Sequence, residues 1–160
     1  MELSELLADW DLGESEVRGV SWRRQYRDLV LRIHGVGDRK KYGRWRRDFK
    51  HEVNGELTFV GCARACFDRS LGHVDSDLEE WGSGAWTIVC IFEEKLYWRD
   101  RDDLTEQMLK HYAVTLDDKW PLDDAWPIAG GHRDWLHATC RDLTFNVLGP
   151  ATDMQTPLRP

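Results

Sequence analysis

No apolar run in this chain approaches the ~20 residues that a membrane-spanning helix requires. The longest, such as Leu29-Val30-Leu31 and Thr87-Ile88-Val89-Cys90-Ile91-Phe92, stop far short, which excludes a transmembrane helix. The N-terminus, Met1-Glu2-Leu3-Ser4-Glu5, lacks the basic region and apolar stretch of a secretory signal, so the expected compartment is the cytoplasm. No G-x-S-x-G elbow, Walker loop, G-x-G-x-x-G or H-E-x-x-H pattern occurs. The six histidines, at 34, 51, 73, 111, 132 and 137, lack the spacing that would put two on one metal from one element. There is also no linker or low-complexity block to divide the 160 residues. At that length roughly 70% of the unfolded surface can be buried in a single core. One β-rich domain over residues 1–150 is expected, with 151–160 as a frayed tail.

Cysteine is sparse, at 62, 66, 90 and 140. Cys62 and Cys66 lie in a stretch that reads as a strand, where four residues span ~13 Å, too far for a shared disulfide or zinc ion. Four free, mostly buried thiols are expected, with no disulfide, metal or cofactor.

Charge is plentiful but uneven. There are 22 Lys+Arg against 29 Asp+Glu, a net −7, which favours solubility and opposes whole-surface attraction to nucleic acid or anionic lipid. Residues 18–50 nevertheless hold twelve bases and three acids, a balance of +9 that leaves −16 for the rest. Such polarity implies two faces, or internal pairing of a basic with an acidic segment.

Leu3, Leu6, Leu7 and Trp10 recur at helical spacing, predicting a short amphipathic helix ended by Gly13. From Val17 the period becomes two. Val17 to Trp22, an Arg-Gln-Tyr-Arg turn, and Asp28 to His34 predict a hairpin, with Leu29, Leu31 and Ile33 on one face and Arg32 and His34 on the other. Gly35 opens a polar loop expected to end at the turn signal Asn54-Gly55. The strongest alternation runs from Leu57 to Phe67, with Gly61 marking a bulge. Residues 71–84 read as an acidic loop, 86–92 and 96–98 as strands, 102–110 as a short helix, 111–116 as a strand, and 135–147 as containing the last strand. Leu29, Leu31, Ile33, Leu57, Phe59, Phe67, Leu143 and Phe145 are the expected core. The fold class is α+β, mostly β: an antiparallel sheet, sandwich or half-barrel with one or two short helices.

Three constellations bear on function. His73-Val74-Asp75-Ser76-Asp77 and His132-Arg133-Asp134 bring imidazoles near carboxylates, the ingredients of a metal or hydrolytic site, though Asp-capped surface turns have the same composition. Arg39, Lys40, Lys41, Tyr42, Arg44, Trp45, Arg46 and Arg47 interleave cations with aromatic rings, as a nucleic-acid platform does; the alternatives are a solvated loop or pairing with the domain's own acids. The third is an internal repeat. Asp117-Asp118-Lys119-Trp120-Pro121-Leu122 is followed at once by Asp123-Asp124-Ala125-Trp126-Pro127-Ile128. Proline pushes the preceding Trp into an extended conformation and cannot donate to a ladder, so the segment belongs at an edge or connection. Asp117, Asp118, Asp123 and Asp124 around Trp120 and Trp126 suit a protein partner with a basic surface. If both rings turn inward to anchor a loop, an acidic rim remains. Of the nine tryptophans, Trp45, Trp81, Trp120 and Trp126 fall in expected loops and are candidates for an exposed aromatic patch.

The order of elements resembles a group of small bacterial β-rich proteins, among them immunity proteins encoded beside polymorphic toxins. The residues that carry the likeness run from Glu14 to Trp22, Asp28 to Ile33, Glu56 to Cys62 and Cys140 to Val147. Gly13-Glu14 stands where those proteins often have a His-Asp pair. The resemblance implies a non-catalytic inhibitor that binds one cognate toxin without a cofactor. A protein-neutralising function is therefore expected, with a nucleic-acid-associated protein as the alternative and a small hydrolase third.

Overall fold

The computed structural model describes residues 1–42, 51–67, 86–94, 109–118 and 132–151, with the backbone alone for 42, 86, 89, 117, 118 and 132–134. Among these residues two short helices, α1 (Leu3–Asp9) and α2 (Arg39–Tyr42), accompany nine strands: β1 (Trp10–Asp11), β2 (Glu16–Arg23), β3 (Asp28–Asp38), β4 (Glu52–Val60), β5 (Arg64–Phe67), β6 (Trp86–Glu93), β7 (Lys110–Asp118), β8 (His132–Cys140) and β9 (Asp142–Pro150). The fold is α+β and mostly β. Every strand pairing is antiparallel, in the order β5-β8-β7-β6-β2-β3-β4-β9, with β1 attached to β3.

The path of strands curls back on itself. β4 and β5 are separated only by residues 61–63, and β8 and β9 only by Arg141, so each pair is one chain segment with a bend. These two segments pair with each other on both sides of the bend, Val60 with Asp142 and Arg64 with Thr139. Between those pairs the Arg141 N–H donates to the Val60 carbonyl (2.9 Å) and the Ala63 N–H to the Thr139 carbonyl (2.8 Å). The thinnest seam lies opposite, between β2 and β6. It has one registered pair, Glu16 with Thr87, beside bonds from the Glu14 N–H to Ile88 O (2.8 Å) and from the Ile88 N–H to Ser15 O (2.7 Å).

Period-two patterning places the core as expected for six of its eight residues: Leu29, Leu31, Ile33, Leu57, Phe59 and Leu143 are fully buried. Phe67 and Phe145 pack partly buried against them. Phe59 of β4 meets Tyr112 of β7 across the interior, with ring centroids 6.2 Å apart. Trp135, fully buried, packs on Phe67 at 5.2 Å.

Several expected boundaries move. The first helix stops at Asp9, not Gly13, because Trp10 turns extended and β1 joins β3, pairing Trp10 with Asp38. Where a loop is expected from Gly35 to Asn54, β3 continues to Asp38 and α2 follows it, and Asn54-Gly55 lies within β4. The glycines there serve bulges. Gly35 adopts φ +75° where the β3–β4 register shifts, and its N–H donates to Asn54 Oδ1. Gly55 is required because the Phe145 ring lies flat against it: a Cβ there would fall 2.3 Å from Phe145 Cζ. The single strand expected from Leu57 to Phe67 is broken at 61–63, whereas residues 135–147, expected to contain the last strand, hold the end of β8 and most of β9. The strand at 96–98, the loop at 71–84 and most of the helix at 102–110 lie outside the described residues, although Lys110 itself opens β7. Ala151, placed with the tail, is buried and donates its N–H to Glu52 O.

Replacing Gly55 by Ala must displace the Phe145 ring, which also packs 4.9 Å from Trp10. Overpacking of this kind costs about 1–3 kcal/mol. In urea unfolding, Gly55→Ala should lose that amount, and adding it to a Phe145→Ala chain should cost much less, because the clashing ring is gone.

Candidate functional site

β3 is buried along its whole length, although one of its faces carries Asp28, Arg32 and His34. Charges withdrawn from water must be paired. The adjacent strands supply the partners. Glu56 of β4 accepts two bonds from Arg23 of β2 (2.9 and 2.6 Å) and stands 3.5 Å from Arg32 Nε. Arg18, on the β2 bulge, bonds Glu16 at 2.9 Å. Arg24 forms a two-pronged bond with Asp28, both contacts 2.5 Å.

The described part of the basic stretch is therefore largely paired within the domain. Arg39, Lys40 and Lys41 on α2 face Asp11 (3.8 Å), Asp9 (3.4 Å) and Asp38 (4.0 Å). Seven of the eight described bases between residues 18 and 42 thus stand within 4 Å of a carboxylate. The eighth is Arg27.

Arg27 closes the β2–β3 turn, which is built without glycine. Arg24, Gln25 and Tyr26 all adopt positive φ, at 50°, 55° and 65°. For side chains with a Cβ this costs roughly 1–2 kcal/mol per residue. The turn is held by neighbours. The Arg27 carbonyl accepts the Cys62 N–H at 2.6 Å, and Asp28 accepts the Gly61 N–H at 3.0 Å as well as Arg24. Gly61 itself has φ +62°, and the Arg141 side chain lies across it, with Cδ 3.2 Å from where a Cβ would stand. The β2–β3 turn, the β4–β5 bend and the β8–β9 bend thus meet at one corner. They border an open cavity of about 420 Å³ lined by Arg24, Arg27, Gly61, Cys62, Ala63, Leu109 and Arg141.

The electrostatics of this corner follow from its contacts. Hydrogen bonding from Arg24 holds the Asp28 carboxyl below the usual carboxylate range, against the opposing effect of burial and with help from the Gly61 N–H. Burial pushes the Cys62 thiol up to about 11 and the Cys140 thiol to about 12, so both stay protonated at neutral pH. All four cysteines are free. Two are buried and two, Cys66 and Cys90, are exposed, which corrects the expectation of mostly buried thiols: Cys66 alternates to the outer side of β5, and Cys90 sits beside the β6 register shift.

The other sequence candidates are distributed as follows. Asp117 and Asp118 end β7, whereas Trp120, Asp123, Asp124 and Trp126 lie outside the described residues. Arg44, Trp45, Arg46 and Arg47 also lie outside them, as do Trp81 and the His73–Asp77 cluster; Tyr42 is described by its backbone in α2. His132, Arg133 and Asp134 open β8, opposite Asp117, Leu116 and Thr115. His111 bonds Thr139 at 2.6 Å, and His137 bonds Glu94 at 2.8 Å. Among the described residues no three His, Cys, Asp or Glu side chains converge to hold a metal, and no helix is long and apolar enough to cross a membrane. The arginine-lined corner went unrecognised as a site in the sequence. Its available signals were the Arg-Gln-Tyr-Arg turn and the isolated Gly61.

Compared with known families, curated proteins and solved structures, the chain gives no match.

Two outcomes are expected here. Asp28→Asn should cost about 1–3 kcal/mol at pH 7, since it weakens bonds to Arg24 and Gly61. Because the folded carboxyl titrates below its unfolded value of about 3.9, the stabilisation is present above about pH 4 and fades as pH falls through the folded value. Urea unfolding of both chains across pH 2–7 should show the gap closing in acid. Separately, a thiol reagent at pH 8 should modify Cys66 and Cys90 at least about tenfold faster than Cys62 and Cys140, whose labelling should await unfolding.

Proposed function

We propose that the protein acts by binding another protein and neutralising it, in the manner of an immunity protein or other dedicated inhibitor. The surface used is the doubled Asp-Asp-x-Trp-Pro segment, and the partner presents a basic face. The observation that carries this is the internal pairing of the basic stretch. Arg18, Arg23, Arg24, Arg32, Arg39, Lys40 and Lys41, seven of the eight bases described in the positive segment, face the domain's own carboxylates. These pairings also take Glu16, Glu56, Asp9 and Asp11 from the −16 of the remaining sequence, and the acids of the doubled segment belong to what is left for a partner.

Topology adds support. Asp117 pairs with Thr87 on one side and His132 on the other, and Asp118 pairs with Trp86, so residues 119–131 connect two neighbouring antiparallel strands. A recognition segment anchored at both feet on a sheet loses less conformational freedom on binding than a free tail. The nucleic-acid alternative is weakened by the same pairings, since Arg39, Lys40 and Lys41 already face Asp11, Asp9 and Asp38.

The test is co-purification from the native host followed by measurement of affinity for the recovered protein. Asp117, Asp118, Asp123 and Asp124→Asn together with Trp120 and Trp126→Ala should weaken capture at least tenfold, equivalent to ~1.4 kcal/mol, in a chain that still folds. Undiminished capture would move the interface elsewhere. Recovery of nucleic acid alone, with affinity falling steeply as salt rises, would favour the basic loop instead.

A further inference from the structure

The described bases divide cleanly. Eight of the eleven whose side chains are described stand within 4 Å of a carboxylate: Arg18, Arg23, Arg24, Arg32, Arg39, Lys40, Lys41 and Lys110. The three that no described carboxylate approaches are Arg27, Arg64 and Arg141. All three belong to the corner where the β2–β3 turn meets the two bends: Arg27 closes the turn, Arg141 is the β8–β9 bend, and Arg64 follows the β4–β5 bend.

Two of them, with Arg24, line the cavity of about 420 Å³, a size within the range that small ligands occupy. The only described acid bonded to its lining side chains, Asp28, is taken by Arg24 and by the Gly61 N–H. Cys62, on the wall, adds no charge. In a chain of net −7 whose other described cations, Arg64 apart, stand beside described carboxylates, Arg27 and Arg141 face this cavity with no described carboxylate within 4 Å. The strained turn points the same way. Left-handed backbone at Arg24, Gln25 and Tyr26 is flanked by bonds from the Gly61 and Cys62 N–H groups, and such strain gathers at ligand clamps.

We propose that this corner is a binding site for the phosphate group of a small phosphorylated molecule, gripped by Arg27 and Arg141 with Arg24 at its rim. Guanidinium suits this role because its planar fork of donors matches phosphate oxygens two at a time. The site is separate from the acidic segment proposed to meet a protein partner.

Titration of the full chain with inorganic phosphate, phenyl phosphate and acetate, followed by calorimetry and by backbone amide shifts, tests this. Saturable one-to-one binding of a phosphate compound with a Kd of about 1 mM or tighter is expected, with shifts at Gly61, Cys62 and Ala63 and weaker binding of acetate. Equal affinity for the two phosphates would assign free phosphate, and tighter binding of phenyl phosphate a phosphate ester. The pair Arg27→Ala and Arg141→Met should weaken binding at least tenfold; methionine keeps an unbranched chain over Gly61, and an unchanged melting temperature verifies the fold. The pair Arg39→Ala and Lys40→Ala should change nothing. Absence of saturable binding, indifference to the Arg27 and Arg141 substitutions, or acetate binding as tightly as phosphate would overturn the proposal.

Discussion

The burial of β3 on both faces is the constraint from which most of this structure follows. A strand with one wet face can carry any polar residue there at little cost. Withdrawn from water, the same residue must find a partner, because an unpaired buried charge costs several kcal/mol. Asp28 and Arg32 therefore fix what stands beside them. Glu56 must face Arg32, and Arg23 then shares that carboxylate; Arg24 must reach back to Asp28. The Arg32–Glu56 pair also helps fix the register of β3 and β4, since a slip of one residue would set Arg32 opposite Gly55 or Leu57.

The same constraint explains what was legible in the sequence. Alternation of Leu29, Leu31 and Ile33 with Arg32 and His34 identifies the strand and its core face, because the apolar face is buried by the ordinary rule. Nothing in the alternation reveals that the second face is covered too; that depends on which strands come to lie beside it. The +9 balance of residues 18–50 was readable as arithmetic, and internal pairing was one of its two meanings. Choosing between them required knowing that Asp9 and Asp11 sit beside α2, a contact set by the pairing of β1 with β3.

Where the sequence misled, glycine was usually involved. Asn54-Gly55 has the composition of a tight hairpin turn, yet Gly55 is demanded by the Phe145 ring from a strand some ninety residues away. Gly61 was correctly placed at an irregularity, but the break it makes is a bend shared with Arg141, and a shared bend has no local signature. The β2–β3 turn shows the converse: a left-handed run without glycine or asparagine, held by Gly61 and Cys62 from outside. The corner was invisible as a site for that reason, since its three components come from residues 24–28, 61–63 and 141.

The pairing of the β4–β5 segment with the β8–β9 segment also bears on how the chain reaches this structure. Val60 meets Asp142 and Arg64 meets Thr139, separations of roughly eighty residues, whereas β2, β3 and β4 follow one another along the chain. Contacts between distant residues require a large loop to close before any stabilisation is gained, which slows folding. The β2–β3–β4 meander is available early, and until β9 arrives the outer edge of β4 has its backbone donors and acceptors unmatched. That strand sets Val53, Leu57, Phe59 and Val60 among Glu52, Asn54, Glu56 and Thr58, and its unmatched backbone is a template for pairing with another copy of itself. The interval between synthesis of β4 and synthesis of β9 is therefore the stage of the molecule's life at which misassembly competes most strongly with folding.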